Sequence, residues 1–335
     1  ELQYNLTLQI HTETLELLFL NTEFVRVHEL SKICLSQINN ILNQVKIYEI
    51  KIITYFAQLQ QQNAIDTAFN FLEKLGLYVP KETVEIENKI KQEEEELELL
   101  LKNKNIEKLA NLPRLNDPYK IAIILILQRI VSSLNTTNSP LFPWVILIQL
   151  NACIKYGNPP QAPLIYSFYV LIRYGTKKEI DLGYKFGQLS IKLIKKLNSI
   201  ELEGLIIYFY YGYTWHWNNF LRDKTAQKQL LYAFQEAKDR GYNEYSSYAI
   251  LTYCFIKLFG GYHLKDVNID YAKYVQMIEK LKIEYSFNYG KICHNIVKEL
   301  TQEDNNLINI SNFTKQEKDD LKKWTLDNSE WLLSK

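Results

Sequence analysis

The residues best suited to form a binding site are the aromatic side chains of residues 208 to 217, which read YFYYGYTWHW. A helix through this run is aromatic on every side, which is typical of a helix buried at the centre of an array. The alternative is an aromatic-lined groove, because tyrosine and tryptophan are favoured in protein contacts. The helical period predicts two faces: Phe209, Gly212, Tyr213 and His216 form one, and Tyr208, Tyr211 and Trp215 form the other.

Tyrosines elsewhere in the chain extend this candidate site beyond the aromatic run. We predict a concave groove for a protein or peptide partner. Single-stranded nucleic acid is excluded, because stacking on it would need interleaved lysine or arginine and the run contains none. The alternative ligand is a small inducer molecule in a closed apolar pocket of about 300 Å³ or more. The candidate binding residues are Tyr208, Tyr211, Trp215, His216, Trp217, Tyr166 and Tyr248.

Sequence motifs of catalysis are missing from the chain. It contains no G-x-x-x-x-G-K-S/T phosphate loop, no G-x-G-x-x-G, no H-E-x-x-H and no G-x-S-x-G. The His-Arg-Asp catalytic loop of kinases is also missing. We therefore expect no enzyme activity and no catalytic residue. The competing hypothesis is a cryptic enzyme that uses His216 with nearby tyrosine or glutamate side chains, and a hydrolase activity abolished by His216→Ala would support it.

The spacing of histidine and cysteine predicts no metal site and no cofactor. No histidine lies within five residues of another, and no C-x-x-C pair occurs. We expect the cysteines to be free thiols in a reducing cytoplasm. The residues concerned are His11, His28, His216, His263, His294, Cys34, Cys153, Cys254 and Cys293.

The charge balance and the apolar content are those of an ordinary folded protein. The net charge of +1, from 39 basic and 38 acidic side chains, argues against a general nucleic-acid binder. No signal segment opens the chain, and its longest apolar runs, 121–127 and 205–211, are far shorter than the ~20 residues that cross a bilayer. We expect a cytoplasmic protein without membrane contact. A start at Glu1 and a single methionine, Met277, suggest a fragment of a larger protein.

The elements that must position these residues are predicted to be helices throughout. The 11 glycines and 8 prolines interrupt long stretches in which apolar residues recur at helical spacing, as Tyr48, Ile52 and Tyr55 do. Alternating strand patterns bounded by turn pairs are missing. We expect an all-α chain of about thirteen or fourteen helices and no sheet.

Two N-terminal helical hairpins predict a repeat architecture. The first turns at residues 21–23 and returns from Phe24, and the second turns at residues 60–62. Placing Phe24 over Gln61 gives a spacing of 37 residues. Periods of this size with two helices each are typical of helical solenoids. Because a lone hairpin cannot bury its apolar face, neighbouring hairpins must stack.

Small residues on the returning helix of the second hairpin favour a tetratricopeptide-like packing. Ala64 and Ala68 lie one turn apart, so a large side chain of the outgoing helix fits against them. The match is degenerate, because Gln61 stands where an aromatic residue is usual. We therefore predict an α-solenoid of tetratricopeptide-like helical hairpins.

Further hairpins are predicted downstream. The first of them carries Gly183 and Gly187 one turn apart, and glycine inside a helix costs up to ~1 kcal/mol against alanine. We therefore expect a close helix–helix contact there. The predicted helix pairs are 167–174 with 180–197, 205–220 with 225–240, and 244–260 with 270–285.

A charged segment separates the early hairpins from the later ones. Residues 82–108 include four consecutive glutamates, 93–96, which cover every side of a helix. We expect a solvated helix, and the alternative is a docking face for a basic partner. Asp117 and Pro118 are predicted to be the N-cap and first residue of the next helix. The predicted segments are 1–80 (tetratricopeptide-like hairpins), 81–116 (charged helix and loop), 117–300 (continuing hairpin array) and 301–335 (polar tail with a short helix).

Short strings along the chain resemble the helical region of large signalling ATPases found mainly in cyanobacteria. No single string is diagnostic, and the resemblance depends on their order and spacing over roughly residues 10 to 300. The strings are KIYEIK (46–51), YFAQ (55–58), AIDT (64–67), LANLP (109–113), DPYK (117–120), PLFP (140–143), KYGN (155–158), GYKFG (183–187) and HW (216–217).

The resemblance implies a regulatory function. The usual order in that family is a serine/threonine kinase, a STAND-type P-loop ATPase, the helical region, a GAF sensor domain and often a histidine kinase. The chain departs from the family pattern after about residue 300. The resemblance implies a non-catalytic helical-repeat scaffold that mediates protein–protein interaction or signal sensing, with the adjoining ATPase or kinase domains as partners.

Overall fold

The computed structural model describes residues 2–172 and 177–301, which form helices joined by turns and loops. This part of the chain contains no β-strand, only an isolated bridge between Arg114 and Asn158. The prediction of an all-α protein is therefore confirmed. The α-helices are α1 (Leu2–Leu20), α2 (Phe24–Gln37), α3 (Ile41–Ala57), α4 (Gln61–Lys74), α5 (Thr83–Leu101), α6 (Pro118–Thr136), α7 (Phe142–Tyr156), α8 (Ala162–Phe168), α9 (Lys177–Lys196), α10 (Glu203–Phe209), α11 (Lys224–Asp239), α12 (Asn243–Phe259), α13 (Leu264–Leu281) and α14 (Glu284–Thr301).

The chain forms two compact units. Unit 1 comprises Glu1–Asn135 and Ser139–Leu202, and unit 2 comprises Thr136–Asn138 and Glu203–Lys335. The division into four segments made from the sequence stays a prediction. Its tail segment, 301–335, lies outside the described residues except for Thr301.

The N-terminal helices of unit 1 share a buried core, and their first turn lies where the sequence predicts it. Helix α1 ends at Leu20 and α2 begins at Phe24, so the first turn occupies the predicted residues. Ala64 and Ala68 of α4 are fully buried, and the ring of Tyr48 stacks on Phe71 with centroids 3.9 Å apart. The apolar side chains of α1, α2 and α3 join in one core. Its buried members are Leu15, Leu18, Val27, Cys34, Ile38, Ile47 and Ile50.

The charged helix α5 packs on α7 along one side. The amide of Asn151 on α7 donates to the Glu93 carboxylate at 2.8 Å, and Lys155 pairs with Glu96 at 2.6 Å. Burial raises the pKa of Glu93. Leu97 follows and is buried in the core of unit 1. Helix α7 therefore covers one side of α5, whereas all the other residues of α5 except Ile86 are exposed or half-buried.

The start of α6 confirms the predicted helix cap. The Asp117 carboxylate accepts from the backbone N–H groups of Tyr119 and Lys120 at 3.0 and 3.1 Å. These donors have no partner within the helix, so the cap satisfies them. Helix α6 accordingly begins at Pro118.

Two glycines of the helices differ in the room they leave for a side chain. A Cβ on Gly183 would lie 3.8 Å from Cγ2 of Val170, an ordinary van der Waals contact, so this position can accept a methyl group. In unit 2, a Cβ on Gly204 would lie only 2.8 Å from the backbone nitrogen of Ala237. Helices α10 and α11 therefore meet backbone to backbone at Gly204.

The last predicted hairpin of unit 2 has different bounds. Helix α13 begins at Leu264 and ends at Leu281, so the predicted helix 270–285 is wrong at both ends. Lys282 then takes a left-handed conformation, with φ of 53°, which ends the helix. Helix α14 follows from Glu284 and packs extensively on α13.

The two glycines provide a matched test of this packing. We expect Gly204→Ala to lower the free energy of unfolding by about 1–3 kcal/mol, because the new methyl overlaps backbone atoms. Gly183→Ala is expected to be neutral or to stabilise the protein by up to ~1 kcal/mol, because the methyl has room and alanine favours helix. Urea unfolding followed by circular dichroism measures both. Equal effects of the two substitutions would contradict this account.

Candidate aromatic interaction site

The aromatic run does not continue as an α-helix. Helix α10 ends at Phe209, and residues 210–214 form a π turn, in which the N–H of Trp215 bonds to the carbonyl of Tyr210. A short 3-10 turn, Trp215–Trp217, follows. The single helix predicted over 205–220 is therefore wrong. π turns inside helices are rare and occur frequently at functional sites.

The π turn also changes which rings lie together. Residues five apart now share a side, so Tyr208 meets Tyr213 with centroids 5.7 Å apart, and Tyr210 meets Trp215 at 6.0 Å. The predicted faces assumed a period near 3.6 and put Tyr208 with Trp215. The π turn inserts one residue into the helical period, so Tyr208 meets Tyr213 of the other predicted face. Within the predicted faces, Tyr211 still meets Trp215 at 5.1 Å and Phe209 still meets Tyr213 at 5.8 Å.

Tyr208 lies at the centre of a cluster of rings inside unit 2. Its ring lies 6.4 Å from that of Tyr245 and 6.1 Å from that of Tyr248, both on α12. Tyr248 in turn meets Tyr285 of α14 edge-on at 6.5 Å. Edge-to-face pairs at these distances stabilise beyond the area they bury. The members of this inner cluster are Tyr208, Phe209, Tyr213, Tyr245, Tyr248 and Tyr285.

The inner cluster contains hydroxyl groups that remain protonated. The hydroxyls of Tyr208 and Tyr213 lie 3.1 Å apart and share a hydrogen bond. The hydroxyl of Tyr285 is buried and has no hydrogen-bond partner among the described residues. Burial raises the pKa of Tyr213 and of Tyr285. Burial, and then the Glu244 carboxylate, also raise the pKa of Tyr248.

The outer side of the run reaches solvent after the π turn. Trp217 is 41% exposed, and its ring nitrogen donates to the carbonyl of Tyr213 at 2.8 Å, which fixes the indole. His216 lies beside it, with ring centroids 5.2 Å apart. Burial lowers the pKa of His216, so its ring is neutral at pH 7. This part of the site therefore presents an uncharged aromatic surface.

Two exposed phenylalanines of unit 2 were not selected from the sequence. Phe220 is 88% exposed and Phe259 is 69% exposed. Arg222 joins their segments, because its guanidinium donates to the carbonyls of Gly260 and Gly261 at 2.7 and 2.9 Å. A sequence signal for Phe220 does exist, since this large apolar residue stands in a polar loop, NNFLRD, after the aromatic run.

Tyr166 does not belong with the other predicted site residues. It lies in unit 1, fully buried, and its hydroxyl donates to the side-chain oxygen of Asn158 at 2.8 Å. The amide of Asn158 donates in turn to the carbonyl of Leu109 at 2.8 Å. Tyr166 therefore has a structural position. The predicted residues within unit 2 are Tyr208, Tyr211, Trp215, His216, Trp217 and Tyr248.

The side chains that could bind metals or act as nucleophiles are dispersed or buried. Within residues 2–172 and 177–301, no group of three or more His, Cys, Asp or Glu side chains could hold a metal ion. The four cysteines are free and buried. Burial raises the pKa of Cys293 to about 11, so its thiol is a poor nucleophile at neutral pH. Over the same residues, no helix has the length and apolar character of a membrane span.

Comparison with known proteins identifies no relative. No protein-family model matches the chain, and neither a curated protein nor a solved structure matches it. The function must therefore be inferred from the chain's own residues.

The neutral state of His216 can be measured directly. We expect an NMR titration of its ring to give a midpoint below 6.5, the ordinary value for histidine, because burial disfavours the charged form. Since the folded-state pKa lies below the unfolded one, the contribution of His216 to stability is lost as the pH falls below about 6.5. Trp217→Ala, which uncovers the ring, should move the midpoint back toward 6.5. A midpoint at or above 6.5 in the unsubstituted protein would contradict the proposed burial.

Proposed function

We propose that this chain is a non-catalytic, helical-repeat scaffold that binds a protein or peptide partner through the aromatic surface of unit 2. The observation that carries this proposal is the exposure of Trp217 and Phe220, at 41% and 88%, in the segment that directly follows the ring pair of Tyr208 and Tyr213. Exposed aromatic side chains of this size favour burial by a partner, and tryptophan is enriched among the residues that dominate binding energy.

Preorganisation supports a binding function for this surface. Trp217 is held by its bond to the Tyr213 carbonyl, and Asn219 donates to the carbonyl of Trp215 at 2.9 Å. Arg222 bonds to the backbone at the end of α12 and so fixes the loop that follows Asn219. The Trp217 side chain would therefore lose little conformational entropy when a partner binds, which favours affinity.

The scaffold we propose is an α-solenoid of tetratricopeptide-like hairpins. Its support is the spacing of 37 residues between the first two returning helices, together with extensive contacts between helices consecutive in the chain. Such contacts join α1 with α2, α2 with α3, and α3 with α4. In unit 2 they join α10 with α11, α11 with α12, and α12 with α13.

The partner we propose is an adjoining ATPase or kinase domain of a larger cytoplasmic signalling protein. The support is the resemblance of ordered strings, such as DPYK at 117–120 and HW at 216–217, to the helical regions of STAND-type signalling ATPases. Binding at the aromatic surface would favour one packing of the scaffold against the ATPase over another, and so bias its nucleotide-dependent states.

A second candidate function is a receptor for a small inducer molecule. It is favoured by two buried donors without partners among the described residues, the hydroxyl of Tyr285 and the ring nitrogen of Trp215. A buried donor of this kind costs free energy unless a ligand or water satisfies it. A largely apolar molecule with an acceptor group would fit aromatic walls with a few polar groups.

Selection from a random peptide library tests the aromatic surface. We expect enriched peptides to carry aromatic or aliphatic anchors and to lose at least about tenfold in affinity against Trp217→Ala/Phe220→Ala, because those rings supply the contact. Fluorescence anisotropy of a labelled selected peptide gives the dissociation constants. Ile269→Ala serves as the matched control, because Ile269 is an exposed apolar residue of unit 2, at 64%, outside the aromatic surface.

The outcomes separate the two candidate functions. Peptides bound equally by the double variant would refute the aromatic surface as the protein-binding site. Binding of a small apolar molecule that Tyr285→Phe weakens and Phe220→Ala leaves unchanged would favour the receptor function.

Coupling to an ATPase is a separate prediction. We expect the chain, added in equimolar amount to a purified STAND-type ATPase core, to change its rate of nucleotide hydrolysis or its assembly. The Trp217→Ala/Phe220→Ala variant should lack the effect, because it lacks the contact surface. Hydrolysis and light scattering measure the two properties. Unchanged turnover and assembly with the unsubstituted chain would count against the signalling context but not against peptide binding.

A further inference from the structure

A stripe of half-buried side chains runs along α3 in unit 1. Its members are Tyr48, Lys51, Tyr55 and Gln58, which are separated by three and four positions and therefore share one side of the helix. Helices α2 and α4 both pack on α3, and they do not pack closely on each other. This α3 stripe is the most polar part of α3 that the neighbouring helices partly cover.

Aromatic contacts tie the α3 stripe to both neighbouring helices. The ring of Tyr48 stacks on Phe71 of α4 with centroids 3.9 Å apart. The ring of Tyr55 meets that of His28 of α2 at 4.5 Å. Lys51 lies between the two tyrosines in sequence, and its ammonium group is 5.9 Å from the centre of the Tyr55 ring. The ammonium group is therefore placed on a framework that three helices hold in position.

A second lysine approaches Lys51 from α4. Lys74 follows Phe71 by three positions, so it lies on the side of α4 that carries the ring stacked on Tyr48. Burial, and then repulsion by Lys74, lower the pKa of Lys51. Two cations therefore flank one pair of stacked rings and repel each other.

The chain supplies no counter-ion to these two lysines. Among the described residues, neither ammonium group takes part in an ion pair or a hydrogen bond. The acidic side chains of α3 and α4 have partners of their own. These pairs are Glu49 with Arg129 at 2.8 Å, Asp66 with Gln62 at 2.7 Å and Glu73 with Lys81 at 3.1 Å. A half-buried cation without a counter-ion costs free energy, which a bound anion would offset.

The number of charges decides the class of anion. A carboxylate carries one negative charge and would neutralise only one of the two ammonium groups. A phosphate monoester carries nearly two charges at pH 7 and has three acceptor oxygens, so one group can serve both lysines. Lysine commonly binds phosphate as a point charge. The hydroxyls of Tyr48 and Tyr55, which make no hydrogen bond in the described part of the chain, are further donors on the stripe.

We propose that the α3 stripe is an anion site, in which Lys51 and Lys74 together bind a phosphate dianion, either free or as the monoester of a small molecule. The rings of Tyr48 and Tyr55 offer apolar surface to the carbon atoms of such an ester. The site lies in unit 1, whereas the aromatic surface lies in unit 2, so neither proposal rests on the other.

Side-chain NMR of the full chain, with its lysines labelled with carbon-13, tests the site. Titration with sodium phosphate near neutral pH and at constant ionic strength should shift the Lys51 and Lys74 signals to saturation, with a dissociation constant of about 1 mM. Acetate should bind at least about tenfold more weakly, because it neutralises one charge only. Methyl phosphate distinguishes the two sources: binding as tight as that of phosphate supports an ester, and weaker binding supports free phosphate.

Substitutions separate a built site from the general attraction of phosphate to lysine. Lys51→Gln and Lys74→Gln should each weaken phosphate binding at least about tenfold, because each removes one of the two charges. Lys192→Gln is the matched control, since Lys192 is an exposed lysine of α9, which does not pack closely on α3 or α4. Its effect should stay below about twofold, because distant surface charges are screened by salt. Circular dichroism establishes that each variant is folded.

A pH titration tests the arrangement of the two lysines without any ligand. Lys74→Gln should raise the pKa of Lys51, because it removes a repelling charge. The proposal would be overturned by phosphate shifts that do not saturate, by acetate that binds as tightly as phosphate, or by an equal loss of binding in Lys192→Gln. A pKa of Lys51 that Lys74→Gln leaves unchanged would also overturn it.

Discussion

Mutual burial between neighbouring helices is the interaction on which the rest of this structure depends. Leu15 of α1, Val27 of α2 and Ile47 of α3 are each fully buried by side chains of the other two helices. Burial of such a side chain contributes about 1.5–3 kcal/mol, whereas an isolated helix of this length is marginal in water. A large apolar side chain that stays exposed is therefore informative. Leu17 and Phe220 are two such side chains.

Buried ion pairs fix which helices become neighbours. Arg129 of α6 pairs with Glu49 of α3 at 2.8 Å, with side chains 23% and 7% exposed. Lys257 and Asp270 join α12 to α13 in unit 2. Removing one partner of such a pair leaves an uncompensated buried charge, so these pairs disfavour other arrangements of the same helices. Because their charges are satisfied inside the protein, these pairs contribute to packing.

Features that depend only on residues adjacent in the chain could be predicted from the sequence. The first turn at residues 21–23 and the cap at Asp117 each depend on neighbouring residues, and both are confirmed. The π turn could not be predicted. Whether a backbone N–H bonds to the carbonyl four or five residues earlier depends here on packing by other helices. At Gly212, a Cβ would lie 3.2 Å from Cγ2 of Thr252, so α12 closes on the turn. The exposure of Phe220 is likewise decided by tertiary structure.

The same π turn explains why the candidate site combines rigidity with exposure. If the α-helix continued through Thr214, each following ring would keep the usual helical period. The residue inserted by the π turn instead places Tyr208 beside Tyr213, and the rings after the turn reach solvent. Trp217 is then held by its hydrogen bond to the Tyr213 carbonyl, which lies in the same segment of the chain. Its position therefore depends on contacts within unit 2.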